Sequence, residues 1–145
     1  MNNEFLVVDA SVALAWLVPQ DESANADHLL TNAGLLCAPE LILIEVAHAL
    51  LKHVRRKLMS IDEARRRSDA LTLLLDDIQS DAALVSPALE LAQRFETSMY
   101  DGMYLALAEK LDCELVTADR RLVNATSRAA RVRWIMTVGG RSDEN

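Results

Sequence analysis

Short apolar segments alternate along this chain with longer segments of helical pattern, and this alternation constrains the fold more than any other feature of the sequence. The first apolar segment, Phe5–Val8, contains no polar side chain, which is typical of a strand buried on both faces. Strands that alternate with helices form parallel sheets covered by helical layers. We therefore predict an α/β fold, a three-layer α/β/α sandwich with a mainly parallel central sheet.

The individual elements follow from apolar runs and from helix-capping residues. The predicted strands are Phe5–Val8, Leu35–Ala38, Ala82–Val85, Glu114–Thr117 and Val132–Met136. The predicted helices are a segment ending before Pro19, Ser23–Leu30, a long helix from Pro39 to about Lys57, a helix from Ser60 to about Ile78, a helix started by Ser86 and Pro87, Ser98–Leu111, and a short helix from Arg120.

Chain length and cysteine content indicate one domain in a reducing compartment. The chain has 145 residues, and domains have roughly 100–200 residues. No repeat or linker divides it, so we predict a single domain over residues 1–138 and a polar C-terminal tail over residues 139–145. Cys37 and Cys113 are too few for a disulfide scaffold or a four-cysteine zinc site, and we expect buried thiols in the cytosol.

The charge balance limits how the chain can bind nucleic acid. Its formal net charge is −7, so any contact with RNA must come from local basic patches. Lys52, Arg55 and Arg56 form one such patch, although a solvated helix face is the simpler interpretation. No apolar stretch reaches the ~18 residues of a membrane span, and Asp9 interrupts the N-terminal apolar run. We therefore expect a cytoplasmic protein that does not contact membranes.

Four acidic residues stand where a solvated charge is not expected. Asp9 directly follows the first strand, and Asp119 follows the strand Glu114–Thr117 by two residues. Glu45 lies in a helix that is apolar nearly all round, and Asp101 shares a helix face with apolar neighbours. Ligands of parallel sheets bind outside the carboxyl ends of the strands. We therefore predict that these four carboxylates converge in one cleft at that edge.

Each acid also has a purely structural interpretation. Asp9 is a possible turn residue, Asp101 a possible partner of Ser98 in a capping box, and Asp119 a possible helix cap. Glu45 has a possible partner in Lys52 or in an arginine of another helix. The joint pattern favours a site, because four like charges in one cleft require a counter-charge. Oxygen-only ligands select Mg²⁺ or Mn²⁺.

Four segments, in this order and spacing, resemble the PIN domain and, within it, ribonuclease toxins of the VapC type. They are Val7–Val12, Ala38–Val46, Tyr100–Ala108 and Leu115–Leu122. The resemblance implies an endoribonuclease that depends on Mg²⁺ or Mn²⁺ and acts as the toxin of a toxin–antitoxin pair. It implies that the catalytic and metal-binding residues are Asp9, Glu45, Asp101 and Asp119, with Ser11 and Thr117 as supporting hydroxyls. It further implies an RNA substrate, a cognate antitoxin and a homodimer.

The sequence departs from the family pattern in two places, and two other functions remain open. Gly102 stands where the family usually has alanine, and residues 120–124 contain none of the additional acids that some relatives carry after the fourth acid. The alternatives are a non-catalytic PIN-fold binding protein and a DNA-directed metal-dependent nuclease.

The homodimer prediction also has a basis in the sequence itself. The helix around Glu45 and the stripe of Ala64, Leu71, Leu74 and Leu75 expose more apolar faces than one small core needs. The alternative is that these faces pack inside a single larger core.

Overall fold

A computed structural model describes residues 4–32, 34–127 and 131–137. The strands are β1 (Phe5–Val8), β2 (Leu35–Pro39), β3 (Asp77–Gln79), β4 (Glu114–Thr117) and β5 (Val132–Trp134). The helices are α1 (Ala10–Leu17), α2 (Ser23–Asn32), α3 (Leu41–Arg55), α4 (Ile61–Leu74), α5 (Val85–Phe95), α6 (Met99–Leu111) and α7 (Arg120–Ala125), with 3₁₀ turns at Ala82–Leu84 and Ile135–Thr137. The tail predicted at residues 139–145 lies outside the described residues.

All five strands are parallel and lie in the order β3-β2-β1-β4-β5. The chain moves from β1 outward through β2 to β3 and then returns to β4 on the other side of β1. Because such crossovers are right-handed, α1 to α4 cover one face of the sheet and α5 to α7 the other. The packing agrees, since α1 contacts α2, α3 and α4, whereas α6 lies against β1, β2 and β4. The predicted three-layer α/β/α sandwich is confirmed.

The chain adds β2 and β3 on one side of β1 and then β4 and β5 on the other, so the direction of the connections reverses between β1 and β4. Parallel sheets bind ligands at such a switch point. Strands β1 and β4 are both buried, because helices cover both of their faces: Val7, Val8, Leu115 and Val116 are fully inaccessible to solvent. The topology therefore places a rigid, apolar base directly beneath the residues that follow β1 and β4. Within the described ranges, no helix is long and apolar enough to cross a membrane.

Both cysteines are free, as the sequence indicates, and both are buried. Cys37 lies in β2, where burial raises the pKa of its thiol to about 12. Burial also raises the pKa of Cys113, just before β4. Because the thiolate is the reactive form, both side chains act as small apolar residues.

The predicted third strand, Ala82–Val85, is wrong. Residues 82–84 form a 3₁₀ turn with Leu84 buried, and the third strand is Asp77–Gln79, which was predicted as the end of a helix. The carboxylate of Asp76 accepts a hydrogen bond from the backbone N–H of Leu36 at 2.7 Å, and this contact starts the pairing with β2. An edge strand tolerates polar residues, so it has no apolar run to identify it.

Three predicted element ends also shift. Helix α5 begins at Val85 without a side-chain cap, so Ser86 and Pro87 lie inside its first turn. Proline is tolerated there because a first-turn N–H has no helical acceptor. Helix α3 begins at Leu41, whose N–H is bound by the carboxylate of Asp81 at 3.2 Å. Strand β5 ends at Trp134, where the chain turns into a 3₁₀ helix.

Gly102 lets α5 and α6 approach closely. A Cβ atom at this position would lie 2.5 Å from the backbone oxygen of Ala88 and 3.2 Å from the Cβ of Ala92. A contact of 2.5 Å with a backbone atom requires the two helices to separate. The departure from the family's usual alanine therefore has a local packing reason.

We expect Gly102→Ala to destabilise the fold by about 1–3 kcal/mol, as overpacking of a dense core does. The better helix propensity of alanine offsets at most about 1 kcal/mol of this effect. Urea unfolding of both proteins at equal concentration measures the difference. A variant as stable as the unmodified protein would show that α5 moves aside without cost.

Candidate active site

Asp9 begins the site at the carboxyl end of β1. It is the N-cap of α1, and its Oδ1 accepts hydrogen bonds from the backbone N–H groups of Ser11 at 3.1 Å and Val12 at 3.2 Å. The side chain is nearly inaccessible, with 6% relative exposure. Asp9 is therefore a buried acid that is held by the first turn of α1. Its interpretation as a turn residue explains these two hydrogen bonds but does not explain its burial.

Two hydroxyl groups connect Asp9 to the end of β4. The Ser11 hydroxyl donates to Oδ1 of Asp9, and the Thr117 hydroxyl donates to Oδ2. The Ser11 oxygen in turn accepts from the N–H of Ala118 at 2.8 Å, and the Thr117 oxygen accepts from the N–H of Asp119 at 3.0 Å. These bonds hold the residues after β1 and those after β4 in a fixed relation.

Glu45 lies one turn into α3 and is half-buried. Its Oε1 accepts a hydrogen bond of 2.6 Å from the hydroxyl of Tyr104 in α6. The sequence-based partners for Glu45, Lys52 or an arginine, are therefore not the ones the structure shows. Helix α3 is also less buried than predicted, because Ile44 is 74% exposed.

Asp101 and Asp119 are bridged by Arg121. The Nη2 atom of Arg121 lies 3.0 Å from Oδ2 of Asp101 and 2.9 Å from Oδ2 of Asp119. Asp119 also caps α7, since its Oδ1 accepts from the N–H of Arg121 at 2.9 Å. Ser98 caps α6 by accepting from the N–H of Asp101 at 3.1 Å. The predicted cap by Asp119 is present, whereas Asp101 takes part in the cap of α6 through its backbone N–H. Each acid directs one carboxylate oxygen to the guanidinium.

Asp101 influences Asp9 and Glu45 electrostatically. Burial raises the pKa of Asp9 from 3.8 to about 6, against the lowering effect of its hydrogen bonds, and the charge of Asp101 raises it further. Burial also raises the pKa of Glu45, and Asp101 again adds to the shift. Burial raises the pKa of Tyr104 as well, with the charge of Glu45 as the next cause, so its hydroxyl remains a donor. The structure therefore brings Asp9, Glu45, Asp101 and Asp119 into one cluster.

The possible ligands have the chemistry that a hard divalent cation requires, because the four acids and the hydroxyls of Ser11 and Thr117 offer oxygen atoms. Their arrangement is nevertheless closed by other partners. In residues 4–32, 34–127 and 131–137, no group of three or more His, Cys, Asp or Glu side chains is arranged so that it could hold a metal ion. Asp9 accepts hydrogen bonds from two hydroxyl groups, and Glu45 accepts one from Tyr104. Asp101 and Asp119 form ion pairs with Arg121. An ion held here therefore requires a side chain to move.

The basic patch on α3 lies apart from the acids. Lys52, Arg55 and Arg56 are exposed at the C-terminal end of the helix. At 1.5 Å per residue, Lys52 is about 10 Å and Arg55 about 15 Å along the helix axis from Glu45. Contact of this patch with RNA remains a prediction.

Two residues of the cluster were not identified as partners from sequence. The sequence predicts only that Tyr104 shares a helix face with Asp101, and its contact with Glu45, 59 residues earlier, comes from the tertiary fold. Arg121 lies two residues after Asp119, and the sequence marks it only as one of residues 120–124, which contain no further acid. Its proximity to Asp101, 20 residues earlier, comes from the tertiary fold.

Comparisons with known proteins agree with this geometry. A model of the PIN domain matches residues 6–127. Ribonuclease VapC3 of Pyrobaculum aerophilum is 38% identical over 119 residues, which are 81% of this chain and 91% of that protein. The crystal structure of PAE2754 from Pyrobaculum aerophilum has a TM-score of 0.70 and 26% identity, covering 91% of this chain and 84% of that one.

A toxin–antitoxin complex from Klebsiella pneumoniae contains a chain with the same fold. Its TM-score is 0.67 with 16% identity, and the match covers 88% of this chain and 95% of that one. A three-layer parallel α/β domain with an acidic cluster at the β1/β4 switch point defines the class, and this chain belongs to the PIN-domain family. Within that family it is similar to the VapC ribonucleases, so the resemblance recognised in the sequence is confirmed.

Proposed function

We propose that this PIN-domain protein is an endoribonuclease, the toxin of a toxin–antitoxin pair, and that Asp9, Glu45, Asp101 and Asp119 carry its chemistry. The observation that carries the proposal is the buried carboxylate of Asp9 at the switch point, held by the Ser11 and Thr117 hydroxyls beside three further acids. The VapC ribonuclease relative and the toxin–antitoxin neighbour support the same function. The unit is a single domain over residues 1–138, acting in the cytoplasm where it meets RNA.

The residues of the cluster have two roles, to bind a divalent cation and to orient the residues that bind it. Asp9, Glu45, Asp101 and Asp119 supply oxygen ligands for a divalent cation, Mg²⁺ or Mn²⁺. Ser11 and Thr117 fix the orientation of Asp9, and the Tyr104 hydroxyl fixes that of Glu45. A bound divalent ion supplies a lowered pKa for water and stabilises negative charge on a phosphodiester. Burial raises the pKa of Asp9. A bound cation would lower this pKa, because its positive charge favours the ionised carboxylate.

RNA cleavage with and without a divalent ion tests the proposal. Purified protein is incubated with a structured RNA, with a DNA of the same sequence, and with each in Mn²⁺ or in EDTA. We expect internal cleavage of RNA in Mn²⁺ and none in EDTA. Cleavage of DNA alone would replace the proposal with a DNA-directed nuclease, and binding of RNA without cleavage would favour a non-catalytic binding protein.

We propose a homodimer and a complex with a cognate antitoxin that covers the acidic cluster. The stripe of Ala64, Leu71 and Leu75 packs inside the chain, so it does not support association. The support comes instead from exposed apolar residues of α3 and α4, with Ile44 74% and Ile61 55% exposed. Apolar side chains grouped on neighbouring helices are typical of protein interfaces.

We expect light scattering at micromolar concentration to give the mass of a dimer and Ile44→Glu to give that of a monomer, because a charge would be buried in the interface. The matched control is Leu89→Glu on α5, where the side chain is 62% exposed. A monomeric wild type, or a dimer unaffected by Ile44→Glu, would remove this interface.

A further inference from the structure

The acidic cluster contains a cation supplied by the chain itself. Among the described residues, Arg121 is the basic side chain that forms ion pairs with the cluster, and a single nitrogen atom, Nη2, reaches Asp101 at 3.0 Å and Asp119 at 2.9 Å. These two acids come from different elements, α6 and the cap of α7. Arg121 therefore joins two segments that would otherwise repel each other.

The guanidinium of Arg121 lies where a cation must lie in order to neutralise Asp101 and Asp119 together. Asp101 and Asp119 each direct one oxygen to the same point, and Asp101 is close enough to Asp9 and Glu45 to affect both electrostatically. Like charges in one cleft are tolerated only with a counter-charge. A divalent ion placed between the same two oxygens would occupy the position of the guanidinium and would repel its charge, so the two compete.

We infer that Arg121 is the internal counter-cation of the cluster, and that it leaves Asp101 and Asp119 when a divalent ion is held there, so that it sets how weakly the site binds the ion. This inference rests on the proposed function, because it assumes that the acids hold a divalent ion. Arg121 is then a positioning residue, which acts through the two carboxylates and through the ion they accept.

The local structure allows this exchange. The Arg121 side chain is 61% exposed, so its guanidinium has solvent to move into. The contact that caps α7 uses the backbone N–H of Arg121 with Oδ1 of Asp119, and not the guanidinium. Helix α7 therefore keeps its cap after the side chain departs or after it is replaced.

Direct binding of Mn²⁺, measured by calorimetry without RNA, tests the inference. We expect Arg121→Gln to bind Mn²⁺ about 5- to 30-fold more tightly than wild type, because two partly exposed ion pairs no longer compete. Arg121→Lys retains a cation without the planar fork and is expected to fall between the two. Circular dichroism confirms that each variant is folded.

The matched control is Arg120→Gln, which removes the same charge from the neighbouring residue. The guanidinium of Arg120 stacks on Trp134 at 4.0 Å from the ring centroid, so we expect its Mn²⁺ affinity to stay near that of wild type. Equal affinity in the two glutamine variants would overturn the inference and leave the proposed function intact. Absence of Mn²⁺ binding in every protein would overturn the inference together with the metal-dependent part of the proposed function.

Discussion

Asp9→Asn is expected to reduce RNA cleavage by roughly 1,000-fold, because the loss of one metal ligand removes several kcal/mol of charge stabilisation. The substitution is conservative in structure. The Oδ1 of asparagine still accepts from the N–H groups of Ser11 and Val12, and its amide can donate to the Thr117 hydroxyl. Cleavage of a labelled RNA at saturating Mn²⁺ measures the effect.

The control for this experiment is Asp69→Asn, which removes an exposed acid of α4. It changes the net charge equally and should leave cleavage within about twofold, since surface substitutions away from a site have small effects. Circular dichroism establishes that both variants are folded. Full activity in Asp9→Asn would eliminate Asp9 from the chemistry, whereas equal losses in both variants would indicate a general effect of charge.

In metal-free protein, Asp9→Asn is expected to become more stable than wild type by about 3 kcal/mol as the pH rises from about 4 to about 7. Burial raises the pKa of Asp9 from 3.8 to about 6. Between these values the folded protein retains a proton that the unfolded chain has released, so wild-type stability falls by about 1.4 kcal/mol per pH unit. Below this range Asp9 is neutral in both states, and the difference no longer changes with pH.

Urea unfolding in EDTA at a series of pH values measures this difference, and subtraction of the two curves cancels every other titrating group. Asp69→Asn is again the control, and its difference from wild type should not change over the same range. A gap between wild type and Asp9→Asn that is constant with pH would contradict the raised pKa. Because net stabilities are typically only about 5–15 kcal/mol, the expected effect is a large part of the total.

The central part of the fold was predictable because burial leaves a strong trace in the sequence. β1 and β4 are covered on both faces, so Phe5–Val8 is wholly apolar and Glu114–Thr117 has Leu115 and Val116 at its centre, and both strands are predicted correctly. The edge strand Asp77–Gln79 was missed because it has one apolar residue, and the apolar run Ala82–Val85 belongs to the start of a helix. Periodicity cannot distinguish a short apolar turn from a short strand.

Asp9 and Asp119 stand out in the sequence for a similar reason, since a carboxylate at the end of a buried strand is unusual. The partners of Glu45 and Asp101 were not predictable, because they depend on which elements pack together. The hydroxyl of Tyr104 reaches Glu45 across 59 residues, and Arg121 reaches Asp101 across 20. Neither spacing follows from a helix or a strand. Such contacts are a property of the tertiary fold.

The pairing of β1 with β4 also determines when the protein can first act. Asp9 is synthesised at the beginning of the chain, but the hydroxyl of Thr117 that holds it follows 108 residues later. The strand that carries Thr117 pairs with the first strand only after Asp9, Glu45 and Asp101 have been made, and Asp119 follows two residues later. A nascent chain therefore cannot assemble the acidic cluster until nearly the whole domain has emerged from the ribosome.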